Sequence, residues 1–460
     1  MDYHRAVCWI RRDIRLSDHR ALAEATANAR QVALAFVFDT TILDALEDRD
    51  DRRVNFIYDS LKELDDNLKK HGSKLVVLHG NPIVEIPKLC RDLDAEALFF
   101  NEDVDPYAVK RDAEVVRQVK HTHSFKDHVV FIRDEILNLQ GEPFKVFTPY
   151  SKAWKARLKP EDVASYDPDL KNLWPAKDLP AEFPTLEHLG FERNSLWLEP
   201  GESGAQQRLR EFLPKLPHYA ENRDCFDIDG TSGLSVHLRH GTISIRECFR
   251  AAEGYEKWFN ELIWREFYHM ILSQFPHVVE GAFRPEYNDI IWPGDDHAFE
   301  KWASGQTGYP IVDAAMRCFN ATGWMHNRLR MVVAMFLTKD LLVDWRKGEA
   351  YFARYLLDFD LAQNNGGWQW SASTGVDAQP YFRIFNPYLQ SVKFDPDASF
   401  ITKWCPELTD FPVEFRHWPH EATQFDQEAA RCILGQDYPH PIVDHQEQKS
   451  KAIALFKVAT

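Results

Sequence analysis

Two acidic residues, two adjacent Asn, a Gly pair and two Trp stand together in Asp358–Trp370, DFDLAQNNGGWQW. Surface loops seldom use Trp, and core segments seldom use Asn-Asn-Gly-Gly. The mixture describes a wall that holds a large flat ligand while leaving polar groups to meet its edge. The segment TGYPIVDAAMRCFNATGWMHNRLRM, Thr307–Met331, has the same character, and in it Asn327 and Met331 lie i, i+4 on one helix face. In NELIWREFY, Asn260–Tyr268, Glu261, Trp264 and Arg265 stand at i, i+3 and i+4, so a carboxyl and an indole share a face. A Glu261–Arg265 surface pair beside a core Trp is the plainer alternative. GTSGLS, Gly230–Ser235, offers hydroxyls and backbone N–H groups suited to phosphate oxygens, although such runs are also common loops. Asp358 and Asp360 read as the end of a helical stretch before a turn-prone NNGG. Two residues apart on a helix, they do not share a face, and two ordinary ion pairs are the alternative reading.

These residues must be carried by two kinds of element. The first ~130 residues alternate short β-branched and aromatic runs with amphipathic stretches, the pattern of a parallel sheet flanked by helices. Strands are expected at Ala6–Ile10, Val32–Phe38, Leu75–Leu78, Ala97–Phe100 and Val129–Ile132, and helices at Val54–Lys70 and Pro106–Lys120. No G-x-G-x-x-G fingerprint accompanies them, so a nicotinamide cofactor is not inferred. Residues 134–198 are Pro-rich and read as a long connection crossing the surface. From Gly201 onward helical periodicity dominates, at Ala205–Phe212, Ile245–Glu253, Glu256–Gln274, Val312–Asn320, Asn327–Val343 and Ala350–Leu357. The expected architecture is an α/β, Rossmann-like parallel-sheet domain (1–133), a linker (134–198) and an all-α domain (199–460).

Those segments, with AVCWIRRDIRLSDHRAL (Ala6–Leu22), FKVFTPYSKAW (Phe144–Trp154) and YFRIFNP (Tyr381–Pro387), resemble the photolyase/cryptochrome family in its order and spacing. Within that family the chain resembles the class I cyclobutane pyrimidine dimer photolyases. The resemblance implies an FAD cradle of Tyr219, Thr231, Ser232, Gly233, Leu234, Ser235, Trp258, Arg330, Asp358, Phe359, Asp360 and Asn364, with Asn364 facing the flavin N5. The acidic pair is matched there with Arg328 and Arg330, whose charge favours a reduced, anionic flavin. Gly233 departs from the pattern, since many relatives carry Arg there. The resemblance also implies a lesion pocket of Glu261, Asn327, Met331, Trp264 and Trp370. Arg223, Arg328 and Gln390 would meet the DNA together with Glu261, Trp264 and Asn327. Trp292, Trp345 and Trp368 would form a chain of three electron carriers; without the family, all three read as core aromatics.

The activity so implied is light-driven splitting of pyrimidine dimers in UV-damaged DNA by an electron from excited reduced FAD, a lyase reaction. The alternative is a blue-light photoreceptor of cryptochrome type. Folate-binding relatives place a Glu and a Lys where Ala108 and Glu280 stand here, so a deazaflavin or FMN antenna, or none, is expected before folate. Photolyases for the (6-4) photoproduct carry a pair of active-site His, one near the place of Asn327, a feature that MHNRLRM lacks, and Met331 stands where single-strand-specific relatives usually have Gln.

Composition limits the rest. No apolar run approaches the ~20 residues of a membrane span, and the N-terminus does not read as a signal peptide. Seven Cys without a C-x-x-C pair argue against a disulfide framework or a zinc site, and for the cytoplasm. The family implies a monomer. A net charge of −16 opposes DNA binding unless Arg and Lys gather locally, as near Arg223, Arg239, Arg328, Arg330 and Lys393.

Overall fold

The computed structural model describes every residue except Ala181 and Thr460, together with the side chains of Val458 and Ala459. The chain divides into two compact units, Met1–Pro217 with Ser232–Gln274, and His218–Thr231 with Phe275–Thr460.

The first unit is built on a parallel sheet of β1 (Tyr3–Trp9), β2 (Ala29–Asp39), β3 (Val76–Gly80), β4 (Ala97–Asn101) and β5 (His121–Phe125), in the order β3-β2-β1-β4-β5. The period-2 alternation of its strands sorts side chains onto two faces. Ala6, Cys8, Val32, Leu34 and Phe36 enter one core, while Val7, Trp9, Ala33, Ala35 and Val37 enter another. Burial on both faces explains why these strands read as continuous apolar runs. Helices α1 (Arg20–Asn28), α2 (Arg52–Lys70), α3 (Pro82–Asp92) and α4 (Pro106–Val116) accompany the sheet. The side chains of Asp51, Asn81 and Asp105 cap α2, α3 and α4 by accepting from backbone N–H groups.

Two expectations are corrected here. The fifth strand is His121–Phe125, not Val129–Ile132. The run Val129–Phe131 is buried, but the N–H groups of Val130 and Phe131 donate to the carboxylate of Glu266 instead of a strand. The Pro-rich segment does not merely cross the surface. It forms α5 (Phe147–Arg157) with Tyr150 and Trp154 fully buried, and it sends Leu173, Leu186, Leu189 and Phe191 into a core shared with the sheet. The unit is completed by α6 (Gly201–Phe212), α7 (Ser235–His240), α8 (Ile245–Ala251) and α9 (Glu256–Gln274).

The second unit is helical. Its core gathers side chains from α10 (Pro310–Thr322), α11 (Asn327–Met335), α12 (Trp345–Tyr355) and α13 (Leu361–Ala372). The single long helix expected over Asn327–Val343 is interrupted. After Met335 the backbone widens into a π-turn, Phe336–Asp340, and ends at Leu342 with φ +54°. Thr338 Oγ1 donates back to Ala334 O at 2.8 Å, a bond that competes with a regular ladder, and Lys339 Nζ ties the turn to Ala372 O at 3.0 Å. The unit continues through α14 (Pro387–Phe394) to α15 (His445–Ala459).

Candidate functional site

In the first unit most of the expected site residues lie on α9. Trp258 is buried, edge-on to Phe212 with ring centroids 5.0 Å apart. One turn on, Glu261 and Trp264 are half-buried, and Arg265 donates to the carbonyl of His128. The ring of Trp264 lies flat on that of Phe147, with centroids 3.7 Å apart and planes inclined by 6°. Glu266, fully buried, accepts from Trp154 Nε1 at 2.6 Å and from Phe131 N at 3.2 Å, and also from Val130 N. Burial pushes its carboxyl up to about 7, against the lowering effect of these three donors.

The loop before α7 also belongs to this unit from Ser232 on. Gly233 has φ +61°, in the left-handed region that favours glycine. A Cβ there would lie 2.7 Å from Nε of Arg208, which donates to Ser232 O at 2.7 Å. A guanidinium delivered from α6 therefore stands over the loop at Gly233. Leu234 is fully buried and Ser235 opens α7.

In the second unit, Asp358 and Asp360 are not at a helix end before a turn. They precede α13, and the NNGG run is helical. Asp360 is the N-cap residue and accepts from Gln363 N at 3.3 Å. The turn propensity of Asn is overridden because each amide has a distant partner. Asn364 Nδ2 donates to Glu349 O and Oε1 at 3.1 and 3.2 Å, and Asn365 Nδ2 to Val278 O at 3.0 Å. Burial raises the carboxyl of Glu349, which the Asn364 amide partly offsets.

The two Arg residues part company. Arg330 pairs with Asp358 at 2.8 Å and donates to Met325 O at 2.8 Å. Arg328 instead reaches Asp224 at 2.8 Å and Gln390 Oε1 at 3.4 Å, with its guanidinium 4.3 Å from the Phe394 ring centroid. Arg223 lies 3.8 Å from the same Asp224 and over the ring of Tyr219. Arg223 and Arg328 thus converge on one carboxylate, and Gln390 joins them through Arg328. Burial alone would raise Asp224, but the hydrogen bond and charge of Arg328 and the charge of Arg223 outweigh it, and the group lies below its ordinary value.

Asn327, exposed, is the first residue of α11, and half-buried Met331 follows one turn later. The N-cap is His326, whose Nδ1 accepts from Arg328 N at 3.2 Å. Burial holds its imidazole down to about 4, so at neutral pH the ring is uncharged and free to accept. Trp370 is half-buried near the end of α13, and Phe359 packs on the helical core. Trp345 and Trp368 are core residues, Trp292 is packed against the same core, and the ring of buried Trp302 lies 6.0 Å from that of Trp368.

A flat, hydrogen-bonding group fits this unit. Oδ1 of Asp358 is buried with no hydrogen-bond partner in the protein, an acceptor directed at a donor from elsewhere. Composition pointed to none of Asp224, Arg208, Glu349 or Phe147. Asp224 stood beside Arg223, and Phe147 lay in a segment already singled out, but only the fold shows their partners.

Residues 6–169 match the family model described as DNA photolyase, and residues 258–458 match the FAD binding domain of DNA photolyase. The chain is 41% identical to the deoxyribodipyrimidine photo-lyase of a Synechococcus species, over 97% of this chain and 95% of that protein. A class III photolyase from Agrobacterium tumefaciens superposes with a TM-score of 0.91 at 32% identity, covering 100% of this chain and 98% of that one. A Synechocystis cryptochrome superposes with a TM-score of 0.88 at 26% identity, covering 99% of this chain and 100% of that one. With both family models matched in order and this likeness running the full length, the chain belongs to the DNA photolyase family.

Proposed function

We infer that this protein is a deoxyribodipyrimidine photo-lyase, which binds FAD and uses blue light to split cyclobutane pyrimidine dimers in UV-damaged DNA. The observation that carries the inference is the 41% identity to the Synechococcus photo-lyase over nearly the whole of both chains. The cryptochrome likeness is at lower identity, and the residues a repair pocket needs are all present in the sequence.

The residues divide the work as follows. Thr231, Ser232 and Ser235 offer hydroxyls to the FAD diphosphate, with Gly233 and Leu234 between them and Tyr219 and Trp258 nearby. Arg330, paired with Asp358, keeps positive charge beside the isoalloxazine; Phe359, Asp360 and Asn364 complete that wall. The bound flavin supplies the redox chemistry, a one-electron donation to the dimer under blue light and its return.

A dimer inside a duplex is out of reach, so it must be turned out of the stack, at a cost of a few kcal/mol that damage lowers. Trp264, Trp370 and Met331 form apolar walls for the extruded bases. Glu261 and Asn327 hydrogen-bond their edges and stabilise negative charge as it develops there. Arg223, Arg328 and Gln390 hold the damaged strand, a local basic patch on an acidic protein. Trp368, Trp345 and Trp292 would serve as a chain of electron carriers toward the bound cofactor.

We take the enzyme to act as a monomer in the cytoplasm. Among the described residues no helix is long and apolar enough to cross a membrane. The antenna is deazaflavin or FMN, or is lacking, before it is folate, since Ala108 is a buried methyl in α4 that offers folate no carboxylate.

The test is repair of a thymine-dimer duplex by chemically reduced protein under blue light, with Glu261→Ala alongside. Light-dependent loss of dimers, weakened in the variant, is expected. Flavin binding and photoreduction without any loss of dimers would overturn the enzyme and leave the photoreceptor.

A further inference from the structure

The segment FKVFTPYSKAW has no part in the chemistry above, yet it supplies α5, which runs antiparallel to α9 in a regular register. Lys155 Nζ meets Glu256 at 2.9 Å, the Ser151 hydroxyl donates to Asn260 Oδ1 at 3.3 Å, and the ring of Phe147 lies on Trp264. Each step of four residues along α5 matches a step of four back along α9. A fourth tie, from Trp154 Nε1 to the buried carboxylate of Glu266, fixes the same pair of helices.

This register ends on the stack. Aromatic pairs left to themselves favour offset or edge-on contacts over a parallel sandwich. Here centroids at 3.7 Å and planes 6° apart describe a sandwich, and Phe147 is backed edge-on by Phe267 at 5.9 Å and 80°. The helix pairing imposes the geometry. It holds the Phe147 ring flat against the Trp264 indole, which Phe267 meets edge-on at 5.6 Å and Tyr268 at a tilt at 5.7 Å.

We propose that Phe147 is a positioning residue for Trp264, holding its ring in one orientation so that a flipped-out pyrimidine dimer meets a wall already in place. The proposal rests on the reading of Trp264 as a pocket wall. Its physical content is preorganisation: the indole loses its rotational freedom on folding, and none remains to be lost on binding. Releasing one such side chain weakens binding about three- to tenfold.

The experiment measures affinity of the FAD-loaded protein for a thymine-dimer duplex and for the same duplex undamaged. Phe147→Leu is expected to lower the preference for the lesion about three- to tenfold, raising KM while leaving turnover at saturation unchanged. Phe147→Tyr, which can still stack, keeps the preference. In a Trp264→Ala background Phe147→Leu adds nothing, because the residue acts through the indole. If the Leu variant does not fold, Phe147→Met takes its place in the cycle. An unchanged preference, equal losses on both duplexes, or additive effects in the double variant would overturn the role. A wild-type protein with no preference for the lesion would overturn the role and the proposed function together; a preference untouched at Phe147 overturns the role alone.

Discussion

Replacing Glu266 by Gln separates two forces acting on one buried carboxyl. The group is fully buried in α9 and faces three donors, Val130 N, Phe131 N and Trp154 Nε1. Burial favours the neutral acid and the donors favour the anion; burial is the larger, lifting the carboxyl from 4.5 to about 7. The folded protein then holds this proton more tightly than the unfolded chain does. Its contribution to stability is fully present below pH 4.5 and is lost as pH rises through 7. Between about pH 5.5 and pH 8 the loss is about 2 kcal/mol. Gln keeps the shape and one acceptor oxygen but cannot ionise, so Glu266→Gln should gain on the wild type by about 2 kcal/mol over that interval. Unfolding by urea at the two pH values measures it as a difference of differences, in which other titrating groups cancel. Parallel curves would refute a shifted carboxyl. A wild type that loses ground toward acid would show that the three donors outweigh burial.

Three further perturbations test the second unit and the FAD loop. Gly348→Ala puts a Cβ 2.1 Å from Cη2 of Trp368 in a packed core, and should cost about 1–3 kcal/mol of thermal stability; unchanged melting would contradict the packing. Asp224→Asn removes the carboxylate that Arg223 and Arg328 share, so affinity for undamaged duplex should rise several-fold at low salt and return to the wild-type value at high salt, read by a salt titration. Arg208→Met deletes the guanidinium that holds Ser232 O, and flavin release on dilution should show FAD held about tenfold more weakly; equal retention would mean that the loop needs no support from α6.

What could be read in the sequence, and what could not, follows the range of the forces involved. The sheet was legible because its strands are buried on both faces, and that leaves an unbroken apolar signature in each strand by itself. Val129–Ile132 carries the same signature, yet the N–H groups of Val130 and Phe131 are taken by a carboxylate more than 130 residues away, which no local pattern encodes. The true fifth strand, HTHSF, pairs only with β4 at the sheet edge, and its half-exposed polar residues hide it. The same holds at the candidate site. Residue types, with i, i+4 spacing for Asn327 and Met331 and i, i+3 for Glu261 and Trp264, placed these pairs together, since one helix turn suffices to align them. The partner of Arg328 was missed because Asp224 lies 104 residues earlier, and the NNGG run was read as a turn because its amides are satisfied by Glu349 and Val278. A side chain that takes its hydrogen bond from a remote element is free of its local preference, and a ligand pocket is where such side chains gather. The segments that departed from the local reading, helical NNGG and α5 within the Pro-rich stretch, are therefore the ones proposed to support the flavin wall and Trp264.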